Sequence, residues 1–144
     1  MVGEGKQYED LVGEIISPKC QANRYGKQPQ SRIGATPWGT THSIDWEIWN
    51  LDNPNLRALL SCKYQDSGGT AEEKIPYEVI KLARAIDLDP RFRIAWLVIG
   101  GDGWTEGLRQ FFFSRLQEDI PAMVGRVQLL TTDELISHEL LIPG

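Results

Sequence analysis

Cysteine, histidine and methionine are scarce in this chain, two of each among 144 residues. Cys20 and Cys62 are too few for a disulfide framework. With His42 and His138 far apart in the sequence, they do not make the ligand set of a structural zinc site either. No apolar run approaches the ~20 residues that a membrane-spanning helix requires. The opening Met-Val-Gly-Glu-Gly-Lys-Gln lacks the charged and apolar regions and the cleavage site of a secretory signal, so a cytoplasmic location without membrane contact is the expectation. Positive charge is also in short supply. Fifteen Lys and Arg against 20 Asp and Glu leave a net charge of −5, which argues against a surface that grips nucleic acid all over but leaves room for a local grip.

What remains is an ordinary globular balance, 41% hydrophobic and 24% charged, with no internal repeat, low-complexity tract or composition break. The length suits a single domain over residues 1–144 with one core. Tyr8, Leu11, Val12, Ile15 and Ile16 recur at helical spacing and predict an amphipathic helix over 5–16, stopped by Ser17-Pro18. A polar loop rich in Gly, Pro, Gln and Asn follows to about Gly39, with room for a short strand near Arg32-Ile33. Loops of that length are functional or disordered. Lys19, Arg24, Tyr25, Lys27 and Arg32 lie in a stretch of it without an acid, the composition of a phosphate-contacting segment or of a solvated basic loop. Trp38 is the ring in this loop best placed to stack on DNA bases.

From His42 to Tyr64 the chain reads as a hairpin, two strands joined by Asn50-Leu51-Asp52-Asn53-Pro54-Asn55. Its first strand carries Asp45, and its second carries Ser61 and Lys63 on one face with Cys62 on the other. Gln65 shares the Lys63 face. After a Gly-rich turn, Thr70-Ala71-Glu72-Glu73 fits a capping box. Pro76 predicts that the main helix starts near Ile75 or Pro76 and runs to about Ile86. Arg93–Ile99 is nearly continuously apolar, as in a strand covered on both faces. Gly100-Gly101-Asp102-Gly103 then makes a tight turn and lacks a phosphate-loop lysine. A helix over Thr105–Leu116, a strand over Arg126–Leu130 and a last helix opened by a Thr131–Glu134 capping box complete an α/β chain with a mixed central sheet.

The order of elements, with Ile44-Asp45 on the second strand and Ser61-Cys62-Lys63 on the third, resembles the PD-(D/E)XK nuclease superfamily over roughly residues 5–100. That family's core is a helix, a three-strand meander, a helix and a further strand. The resemblance implies a restriction-endonuclease-like fold and a divalent-metal-dependent DNA endonuclease of restriction or phage type, using Mg²⁺ or Mn²⁺. Asp45 would be the principal metal ligand and the Cys62 main-chain carbonyl a second. Lys63 and Gln65 would handle water or phosphate, and Glu9 on the first helix would be an additional acid. Ser61 departs from the pattern by standing where the second carboxylate belongs, and a hydroxyl is a weak ligand for a hard cation. Glu73 or Glu78 on the following helix could supply the missing acid, as in some restriction enzymes with serine at this position. Otherwise the chain is a nuclease-fold module that binds DNA or protein without cutting. A Holliday-junction resolvase fits less well, because those proteins carry a more basic face.

Each residue also has a plainer reading. Asp45 and Lys63 could form a cross-strand ion pair, Glu73 a helix cap, Glu78 a partner of the helix dipole, Glu9 a surface residue and His42 a polar strand end rather than a phosphate contact. Glu47 alternates onto the Asp45 side and is a further candidate acid. Cutting both strands of a duplex takes two sites, so a homodimer is expected, and a protein partner could supply sequence specificity.

Overall fold

Tyr8, Val12, Ile16 and Cys20 recur every fourth residue and are all buried. They carry helix α1 (Glu4–Asn23) straight through Ser17-Pro18, where the sequence predicts a stop. The structure, a computed structural model, describes residues 4–36, 38–65, 71–101 and 106–144. An interior proline loses a main-chain hydrogen bond and crowds the preceding turn, a cost of about 3 kcal/mol. Burial of Cys20 beyond it offsets that cost. So do two anchors, Lys19 Nζ donating to the Ile136 carbonyl at 2.7 Å and Asn23 Nδ2 donating to the Glu139 carbonyl at 2.8 Å.

The predicted polar loop is likewise mostly structured. Strand β1 (Tyr25–Ala35) pairs antiparallel with β2 (Thr41–Asn50). It escapes the alternation test because it is the edge of a five-stranded sheet ordered β1-β2-β3-β4-β5. An edge strand has solvent on one side, so Pro29 and its polar neighbours are tolerated there.

The expected hairpin is present, β2 joining antiparallel to β3 (Arg57–Tyr64). Helix α2 (Ala71–Leu88) includes Pro76 instead of starting there, because Ile75 just before it is fully buried with Val79 and Leu82 and holds the first turns in line. Strand β4 (Phe92–Gly100) runs parallel to both β3 and β5 (Val127–Thr131). Between them come α3 (Glu106–Ser114), α4 (Leu116–Asp119) and a short 3-10 turn. Helix α5 (Thr132–Ser137) opens on the predicted capping box between Thr131 and Glu134.

The sheet thus has two covered faces. On one, α1 and the C-terminal residues Leu135 and Leu140 bury Ala58, Leu60, Cys62, Trp96 and Val98. On the other, α2 and the α3–α4 segment bury Leu59, Ala95, Leu97, Ile99 and Leu129. This is the mixed α/β architecture read from the sequence. Among the described residues no helix is long and apolar enough to cross a membrane.

Candidate active site

Asp45 sits where the sheet opens. The register between β2 and β3 ends at Trp46 opposite Leu60. On the other side, the β1–β2 register passes from Pro29 opposite Trp46 to Ser31 opposite Ile44, skipping Gln30 and Asp45. Gln30 is turned out of the ladder by a left-handed backbone, φ 51°. The register is unchanged across this gap, but the neighbours serve different faces, Ile44 packing beneath α2 while Trp46 and Ile48 pack beneath α1. The Asp45 carboxylate occupies the opening, its Oδ2 accepting the Cys62 main-chain N–H at 2.7 Å. Strand residues direct N–H and C=O to the same edge, so the Cys62 carbonyl belongs to this edge as well.

On the α2 side stands a linked set of polar groups. Ser61 Oγ donates to Glu78 Oε1 at 2.9 Å and lies 3.4 Å from Asp45 Oδ2. With one hydroxyl proton, the shorter contact is the hydrogen bond. Glu78 Oε2 is 3.6 Å from Lys63 Nζ and 3.0 Å from Lys81 Nζ. Glu78 is only 4% exposed. Burial works to raise its pKa, but the two lysines outweigh it and hold the carboxyl below its ordinary value. It is therefore a buried, charged partner of Ser61 and Lys63 rather than a surface complement to the helix dipole.

On the α1 side Glu9 approaches Asp45. Burial, the Asp45 charge and a hydrogen bond between the two carboxyl groups push Glu9 up to about 7. Gln30 Nε2 donates to Glu9 Oε2 at 3.0 Å, and Lys6 Nζ lies 3.9 Å from the same oxygen. Two carboxyl groups that retain a proton between them near neutrality form a place where added positive charge is favoured.

The other predicted residues are distributed differently. His42 is 3% exposed, below the surface near Glu78, Lys81 and Lys63, with its Nε2 lacking a hydrogen-bond partner. Burial lowers its pKa; it stands second in β2, the expected strand end, at a depth that does not suit direct phosphate contact. Glu47 accepts hydrogen bonds from Ser31 and Arg57, away from the acid pair. Gln65 is buried, and its N–H donates to the Gly100 carbonyl at 3.1 Å. Gly101, at φ +95°, lies so close to the Gln65 backbone that a Cβ would collide with it. The Gly100-Gly101 turn thereby clamps the end of β3. Thr70 and the Glu73 side chain, and with them the capping box, lie outside the described residues, as do Asp102, Gly103 and Trp104.

The basic stretch is built into helix and strand. Lys19 anchors α1, Arg24 makes a two-pronged pair with Asp52, the Tyr25 hydroxyl accepts the Ile142 N–H, and Lys27 lies over the Trp46 ring. Arg32 and Trp38 are exposed. Sequence reasoning missed Gln30, which carried no signal inside an apparently irregular stretch. It also missed Lys81, which Glu78-x-x-Lys81 helical spacing could have disclosed.

Asp45 and Glu9 offer hard oxygen donors with the Cys62 carbonyl on the same edge, the donor chemistry that Mg²⁺ or Mn²⁺ takes. Among the described residues no group of three or more His, Cys, Asp or Glu side chains forms a ligand cage. The family model of the PD-(D/E)XK nuclease superfamily domain matches residues 4–138. No curated protein and no solved structure matches the chain.

Proposed function

This chain belongs to the PD-(D/E)XK nuclease superfamily, and we propose that it is a divalent-metal-dependent endonuclease that hydrolyses phosphodiester bonds in DNA. The observation that carries the proposal is the continuity of the polar set across the opened sheet: Asp45, Ser61 and Glu78 within 3.4 and 2.9 Å steps, and Lys63 3.6 Å beyond. An acid and an amine are thereby supported around one small space, although the family's second carboxylate is a serine.

Asp45 and Glu9, with the Cys62 carbonyl, would hold Mg²⁺ or Mn²⁺. The bound cation would polarise the phosphoryl oxygen and lower the pKa of a coordinated water. Hydrolysis adds water at phosphorus and breaks the bond to the 3′ oxygen. Lys63, 29% exposed at its side chain, is the cation available to the charge that develops on the phosphoryl oxygens. Glu78 is a positioning residue. It accepts from Ser61 and keeps Lys63 aimed across the strand, with Lys81 sharing its negative charge. In this reading α2 supplies the acid that Ser61 lacks, but as a support for the lysine. Trp38 and Arg32 are available for DNA contact, and a homodimer would bring two such sites to a duplex.

The test is nicking of supercoiled plasmid in Mg²⁺ or Mn²⁺. The parent chain should cut, while Asp45→Ala and Lys63→Ala should each lose roughly a hundredfold or more. Cutting retained by Asp45→Ala would remove the ligand assignment. The alternative, a nuclease-fold binding module, draws on Ser61 itself and predicts that the parent chain binds DNA without nicking it.

A further inference from the structure

Two aromatic rings among the described residues are more than half exposed, Trp38 at 54% and Tyr77 at 62%. They touch. Their ring centroids are 6.3 Å apart with planes at 85°, an edge-on contact between the β1–β2 turn and α2. Rings of this size left in water at two unrelated points of the chain, yet meeting each other, form a small apolar ledge rather than scattered surface residues.

The ledge adjoins the site. Tyr77 immediately precedes Glu78, the residue that links Ser61, Lys63 and Lys81. Lys74, exposed on the same helix, and Lys81 lie three residues before and four after Tyr77, so the three share one side of α2. Two ammonium groups thus flank Tyr77 along the helix, Lys81 also pairing with Glu78, on a chain whose net charge is −5. Flat rings bordered by ammonium groups match a nucleobase and its phosphates. Intact duplex hides base faces, so the ledge has a use only where a base is unstacked.

We propose that Trp38 and Tyr77 hold an unpaired base of the strand whose phosphate enters the site, making the preferred substrate DNA with local single-stranded character. The inference rests on the nuclease reading and specifies its substrate class.

The experiment separates the two. Asp45→Ala, full length, is titrated by fluorescence anisotropy against three labelled oligonucleotide probes of about 20 nucleotides: a single strand, a duplex with a central unpaired bulge and a fully paired duplex. Trp38→Ala and Tyr77→Ala are then added to that background. Binding to the single strand and bulge should exceed binding to the paired duplex and should weaken roughly five- to a hundredfold in each variant, leaving the paired duplex unaffected. Tyr77→Phe, which keeps the ring, should restore most of the lost affinity. Equal losses on all three probes, no loss on any, or no binding to any probe each overturn the ledge. A protein partner is indicated if binding to DNA ignores the rings. Plasmid nicking by the parent chain, scored in parallel, stands or falls on Asp45 independently. Nicking with ring-insensitive binding refutes the ledge alone, and ring-dependent binding without nicking refutes the nuclease.

Discussion

Ser61 shows how one residue changes what its neighbours must do. Glu78 already lies 2.9 Å from its hydroxyl, so Ser61→Glu would bring a second carboxylate against a buried one. We expect nicking to fall, with protein stability lowered by about 1–3 kcal/mol in urea unfolding. A rise in nicking would instead say that serine blunts the site. Glu78→Gln keeps the Ser61 hydrogen bond but no longer neutralises Lys63 and Lys81. Plasmid nicking should drop at least tenfold while circular dichroism stays native. Glu9 gives a pH prediction. Between its ordinary 4.5 and about 7, the metal-free folded chain keeps a proton that the unfolded chain has released. Its contribution therefore favours folding on the acid side and is lost as pH rises through that window. The stability difference between pH 5.5 and 8 should shrink by about 1 kcal/mol in Glu9→Gln, a figure reduced for solvent screening.

Among the elements, α1 holds two positions whose substitution by alanine should act in opposite directions. Pro18→Ala restores a main-chain hydrogen bond in a helix that continues past it and should raise stability by about 1–3 kcal/mol. Gly13→Ala should lower it by a similar amount despite better helix propensity, because the new methyl would collide with the Trp46 ring. Thermal melts of the two variants decide both. The same helix marks the limit of sequence reading. The four-residue repeat of Tyr8, Val12, Ile16 and Cys20 was present in the letters, but a proline rule stopped the expectation at Ser17. What carries the chain onward is tertiary, two side chains bonding carbonyls more than a hundred residues away. Strand β1 was hidden because an edge strand needs no apolar alternation. The β2–β3 hairpin and β4 were legible because their apolar, buried runs are bounded by turn residues. Asp45, Ser61 and Lys63 could be singled out by their spacing on that hairpin. Gln30 could not, since its place depends on a backbone turn that no local pattern announces.

At the scale of the molecule, a divalent cation that binds beside Glu9 and Asp45 competes with the proton Glu9 holds. Mg²⁺ or Mn²⁺ should therefore raise the melting temperature more at pH 8 than at pH 5.5, and chelation with EDTA should reverse the gain. Asp45→Ala should abolish most of this response. Absence of any metal effect at either pH would count against the acid pair as the cation's seat.

A β-sheet ordinarily works as a wall, and groups on its two sides are insulated by the backbone between them. Here the wall has a window at Asp45, through which Glu9 from one helical layer and the Ser61–Glu78 couple from the other reach the same carboxylate. Any slide of one layer past the other would pull at both ends of that chain of contacts at once. Repacking the interior beneath α1, on the opposite face of the sheet from the Ser61–Glu78 couple, should thus register in catalysis before it registers in melting.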